Sequence, residues 1–260
     1  MAKVYQEYFG QFYLDSARND FSVTRGTKTN AITLTNALYF MAPYDAETNA
    51  NTATLTNHIA WKIEGASGAL AKCNCYFNHS DGLIRITMNG SHNITWTDSG
   101  LQGLLGFTGS QINANAYTAT RSPRYTWRPA VTATSYPTRI ETFWNPKTTT
   151  RYVRSKDGST HSVGGNLLYD ATITYQFLSD AQTLKGSVEN YQSFQTFYED
   201  VVQAGMPIRV YPDRNYTNSS SYVTACWGEE EPKSFVEFAK RGTDRYLGFW
   251  TLAIPLWKWI

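Results

Sequence analysis

The chain has 260 residues, a formal net charge of +2, 15% aromatic and 17% charged residues, with 18 Tyr, 13 Phe and 8 Trp. That aromatic content argues against disorder and suffices for one large core or two ordinary ones, while so small a net charge gives no ground for a nucleic-acid partner. Thr, Ser and Asn dominate the polar remainder and suit strands and turns better than helix interiors, so a mainly β fold (α+β) is expected, with antiparallel sheets or a β-barrel or sandwich and one or two packed helices.

Phe21 to Thr24 and Ile32 to Leu34 read as short strands on either side of a turn at Gly26. From Thr54 to Glu64 the apolar Leu55, Ile59 and Ile63 recur every four residues, which predicts a helix ended by Gly65 and Gly68. Cys73, Cys75 and Phe77 then alternate with polar neighbours, as in a half-buried strand. A turn at Asp81-Gly82 leads into a strand from Leu83 to Met88. Asn89-Gly90 predicts a hairpin, with Asn93 to Thr97 returning, so that a three-stranded meander packs on the helix. Asp98 is placed to cap a helical turn through Leu101, Leu104 and Leu105 that stops at Gly106. Thr108 to Thr120 reads as polar, turn-rich chain. Pro123, Pro129, Pro137 and Pro146 then punctuate a stretch with few regular elements. A boundary near residue 125 divides the expected domains, 1-125 (meander plus helix) and 126-260 (β-rich with one amphipathic helix).

In the second half, Thr149 to Ser155 and Thr160 to Val163 flank the turn signal Lys156-Asp157-Gly158. Ala171, Ile173, Tyr175 and Phe177 alternate with Thr172, Thr174 and Gln176 as a strand. Tyr191, Phe194, Tyr198 and Val201 carry a helix over 188–204, closed by Gly205 and Pro207. Strands at Ile208 to Tyr211, Tyr222 to Trp227 and Phe249 to Leu256 complete the chain.

The motifs G-x-S-x-G, H-E-x-x-H, G-x-G-x-x-G and the P-loop do not occur in the sequence. Cys73-x-Cys75-x3-His79, completed by His92, has ligand types that would suit zinc, but thiols alternating with Phe77 on a strand read as core. Cys73, Cys75 and Cys226 are read as free thiols, as in a reducing cytoplasm. Ser162 to Asn166 reads as a bulge or tight turn, Glu199-Asp200 as a helix edge, and Glu229 to Glu231 as a solvated loop. No cofactor, no metal and no catalytic residue is expected. The start, MAKVYQEYFG, lacks the apolar segment of a secretory signal, and the run from Leu247 to Trp257 is too short and interrupted for a membrane span.

The strongest asymmetry is a basic segment. Between Arg121 and Lys156 eight basic residues face one acid, Glu141, while acids outnumber bases from Asp180 to Asp244. Within it Arg and Trp interleave, a composition that anchors protein interfaces. The interface candidates are Arg124, Trp127, Arg128, Arg139, Trp144, Arg151 and Arg154. Trp and Tyr rings also stack on sugars, so a carbohydrate-binding β module for host-surface recognition is the alternative from another class. A hydrolase with a site dispersed along the chain is a third.

Five stretches carry a resemblance: Leu104 to Gly109 (LLGFTG), Ser122 to Pro129 (SPRYTWRP), Arg154 to Gly158 with Gly165 to Asp170, Gly205 to Arg214 (GMPIRVYPDR) and Trp250 to Leu256 (WTLAIPL). Together they resemble structural tail proteins of tailed bacteriophages, in particular distal tail, tail-tip or baseplate components. The resemblance implies a non-enzymatic virion protein, assembled in the host cytoplasm and located in the tail. Its partners would be itself, as a homo-oligomeric ring and by analogy a hexamer, and adjacent tail proteins. Tail tube, tail terminator and minor capsid proteins are alternative placements.

Overall fold

The computed structural model describes residues 6–41, 54–67, 72–129, 133–135, 144–148, 151–154, 160–163, 167–179, 191–202, 204–211, 222–227 and 249–258. The first half holds β1 (Glu7–Leu14), β2 (Asp20–Arg25), β3 (Lys28–Thr33), β4 (Ala37–Phe40), α1 (Leu55–Ser67), β5 (Cys73–Asn78), β6 (Leu83–Trp96), α2 (Ser99–Leu104) and β7 (Gln111–Thr118). Short strands come next: β8 (Thr126–Trp127), β9 (Ala133–Ser135), β10 (Asn145–Thr148), β11 (Arg151–Arg154) and β12 (Thr160–Val163). Then come β13 (Leu167–Ser179), α3 (Tyr191–Phe197), β14 (Ile208–Tyr211), β15 (Val223–Trp227) and β16 (Phe249–Lys258). The fold is mainly β with a few helices, and its strand ladders are antiparallel.

One sheet runs β10-β13-β16-β15-β14-β1-β4, with β8 beside β1 and β9 beside β13. A five-stranded sheet runs β3-β2-β6-β5, with β7 on β6 as well, and β11 pairs β12 as an isolated ribbon. Arg85, Ile86 and Thr87 of β6 pair with both β5 and β7, and Ile94 pairs with both β2 and β7. A strand has two edges, so β5 and β2 succeed one another along one edge of β6 while β7 takes the other.

This arrangement corrects two expectations. Asn89-Gly90 does not reverse the chain: β6 continues through it, and the ladder to β7 jumps from Thr87↔Ala116 to His92↔Ala114. Gly90, at φ 84°, supplies the conformation of a bulge, and the continuous partner β7 keeps both halves of β6 in one direction. Thr108 to Thr120 is not turn-rich chain, because β7 occupies most of it. β7 lacks the inward-outward alternation of a half-buried strand, since it is held by backbone pairing at an edge.

Other elements reflect their local chemistry. Leu55, Ile59 and Ile63 on α1 are fully buried. Asp98 Oδ1 accepts the Gly100 amide at 2.6 Å, and Gly106 ends α2 with φ 81°. Ala171, Ile173 and Tyr175 point inward along β13 until a bulge sets residues 176 and 177 against one residue of β16 and turns Leu178 inward. The expected long helix is shorter among the described residues: α3 passes into a π-helical turn over Tyr198–Val202, which brings Phe194, Phe197 and Val201 onto one buried face. Residues 180–190, where its expected start falls, lie outside the described residues, as does the Lys156-Asp157-Gly158 turn.

Two apolar clusters form. The first joins the five-stranded sheet, α1 and α2 to Phe9, Phe12 and Leu14 of β1. The second gathers Trp127, Ile173, Tyr175, Phe194, Val201, Leu252 and Ile254 around Tyr8. Successive side chains of a strand leave opposite faces, so Tyr8 enters one cluster and Phe9 the other. Residues before and after 125 contribute mainly to different clusters, and β1 belongs to both.

Candidate functional site

Of the basic segment, Trp127 and Arg128 lie in the interior, while Arg121 and Arg124 are exposed. Trp127 is 1% exposed, its ring 5.1 Å from Tyr8, 5.4 Å from Tyr175 and 4.9 Å from Phe194. A sugar face cannot stack on a ring so enclosed. Trp144 is half-buried against the same cluster. Arg124 makes a bidentate pair with Asp200 of the π-helical turn, Nε to Oδ2 at 2.8 Å and Nη2 to Oδ1 at 2.6 Å, and that carboxylate holds the guanidinium above its usual range. Arg151 and Arg154 end β11, opposite Val163 and Thr160 of β12. Arg139 and the Glu229 to Glu231 run lie outside the described residues.

Arg128 belongs to a buried ionic junction. Its Nε stands 2.9 Å from Glu7 Oε1, out of line for a hydrogen bond, and its Nη2 donates to the His79 carbonyl at 2.8 Å. Glu7 has no exposed surface, and its other oxygen meets His79 Nδ1. Three elements contribute: β1 supplies the carboxylate, the β5–β6 turn the imidazole, and the residue after β8 the guanidinium. Gly82 leaves room for it, because a Cβ there would lie 2.1 Å from Arg128 Nη1. The junction fastens the turn of the five-stranded sheet to the strand shared by both clusters. No local pattern signals it, since its closest members, His79 and Arg128, are 49 positions apart.

The thiols sit in the core. Cys73 and Cys75 are 3% and 2% exposed, and burial pushes the Cys73 thiol up to about 12 and the Cys75 thiol well above its ordinary value. His79 is turned to Glu7, and His92 Nδ1 is 3.1 Å from the Gly90 carbonyl. Among the described residues no group of three His, Cys, Asp or Glu converges as metal ligands would, and no helix is long and apolar enough to cross a membrane.

The surface carries features that local sequence patterns do not mark. Tyr13, Leu38, Trp61 and Ile112 are large apolar residues exposed by 50%, 46%, 41% and 64%. Tyr13 lies directly opposite Leu38 where β1 meets the edge strand β4, Ile112 is on the edge strand β7, and Trp61 is on α1 beside the edge strand β3. Periodicity does reveal the buried stripe of α1, but an exposed Trp on its flank has no sequence signature of its own. Compared with known proteins, the chain matches no family model, no curated protein and no solved structure.

Proposed function

We propose that the chain is a non-enzymatic structural subunit of a tailed-phage virion, forming an oligomeric ring in the tail tip or baseplate and docking to neighbouring tail proteins. The observation that supports this reading is the position of the exposed apolar side chains: Tyr13, Leu38, Trp61 and Ile112 all lie on or beside edge strands. Open edges and apolar side chains next to them favour association with further strands. In support of the same reading, Glu7, His79 and Arg128 are engaged with one another and the two strand thiols are buried. The five resembling stretches supply the tail placement.

Native mass spectrometry of the full chain tests the reading. A discrete closed oligomer is expected, with six copies if the analogy to tail rings extends to symmetry. A monomer at every accessible concentration would overturn it.

A further inference from the structure

β3 and β7 are the outer strands on opposite sides of the five-stranded sheet. In an antiparallel ladder, alternate residues turn their backbone N–H and C=O toward the partner and away from it. The Leu34 amide donates to the Asn19 carbonyl at 2.8 Å, which sets the phase of the β2–β3 ladder: Asn30 and Ile32 face β2, and Thr29, Ala31 and Thr33 face outward. The Ala119 amide donates to the Ile84 carbonyl at 2.8 Å, so Tyr117 faces β6 while Ala116 and Thr118 face outward. Among the described residues, each edge therefore presents unpaired groups at the two-residue spacing that another strand requires.

Among the described residues, neither edge strand carries a proline, and charge is confined to Lys28 on β3 and to Lys62, which the neighbouring α1 places beside it. Monomeric sheets blunt their edges with charge, proline or bulges. The sequence of β7, QINANAYT, holds no charge and no proline, and its irregular register lies at Gln111 to Ala114, leaving Ala116 to Thr118 regular. β3, KTNAIT, has a single charge, at its turn end. Beside β3 an open groove of about 420 Å³ is lined by Ala31, Ile32 and Thr33 of the strand and by Gly65, Ala66 and Lys62 of α1, with Trp61 as its aromatic wall. The small side chains leave space for an incoming strand. The largest exposed apolar residue at the opposite edge of the same sheet is Ile112.

We propose that β7 of one copy of this chain adds as a strand to β3 of the next, seating its apolar residues against the α1 flank that carries Trp61. The inference rests on the assembly reading above and names its surfaces. The contact is heterologous, each copy giving one edge and receiving the other, so the array closes into a ring when the rotation per copy closes.

Two proline substitutions test it, because each removes an amide that no ladder among the described residues uses. Sedimentation velocity of the full chain is expected to show assembly for the wild type and loss of assembly for Ala31→Pro and for Ala116→Pro separately. An equimolar mixture of the two variants is expected to form 1:1 dimers and nothing larger, since the intact β7 of the first meets the intact β3 of the second. Near-UV circular dichroism checks that each variant is folded; if a proline disturbs the spectrum, the exposed Ile112→Lys decides, with weakened assembly expected. Assembly of the variants as in the wild type, or a mixture that stays monomeric, overturns the pairing and leaves the assembly reading standing. A monomeric wild type overturns both.

Discussion

Glu7 shows how one buried charge can hold two parts of a chain together. A carboxylate with no exposed surface would be costly alone, and here it is matched by Arg128 and by His79. Arg128 reaches both the carboxylate and the His79 carbonyl, a fork geometry that Lys does not reproduce. Removing one partner of such a pair leaves the other buried and uncompensated, so Arg128→Ala is expected to cost about 3–5 kcal/mol. Arg128→Lys should recover only part of that loss. Urea unfolding measures both, and a cost below about 1 kcal/mol for the alanine variant, the size expected of an exposed pair, would contradict the role given to the junction. The neighbouring Tyr8 and Tyr175 hydroxyls, 2.7 Å apart, satisfy each other in the second cluster, and burial raises the Tyr8 phenol.

At the scale of elements, α1 is docked by more than its apolar stripe. His58 Nε2 accepts the Thr35 amide at 3.1 Å, and the ring packs between Tyr39 and Trp61, at 5.2 and 5.6 Å. Burial, helped by Lys62, lowers the imidazole from 6.5 to about 4. Between those values the unfolded chain binds more protons than the folded one, so stability is expected to fall as pH drops from about 6.5 toward 4 and to be insensitive to this group above that window. His92, also lowered by burial, acts in the same direction. Thermal melting against pH checks this: His58→Gln should make the acid decline shallower, and an unchanged decline would remove His58 from the explanation. The helix and the strands with clear alternation, such as β5 and β13, were legible because one face of each is buried. β1 was not, because EYFGQFYL is buried on both faces near its start and shows no period of two. β7 escaped for the opposite reason, being largely exposed, and the bulge at Gly90 imitated a hairpin because both use the same glycine conformation.

At the scale of the whole molecule, the interface expectation and the structure emphasise different surfaces. The Arg- and Trp-rich segment reads as contact surface, yet Trp127 and Arg128 lie in the interior, where they join β8 to β1 and to the five-stranded sheet. Composition names residue types that favour interfaces, but the same types fill large cores, and only the fold separates the two uses. The open edges were illegible for a related reason: which strand lies outermost depends on the order of the sheet, which local patterns do not encode. Amide hydrogen exchange, measured from dilute to concentrated protein, reads those edges directly. Ala31, Thr33, Ala116 and Thr118 are expected to exchange rapidly in the dilute chain and to become protected as copies associate, while Asn30, Ile32 and Tyr117 stay protected throughout. Exchange at the four outward amides that remains equally fast at every concentration would contradict a chain whose sheet edges meet other copies of itself.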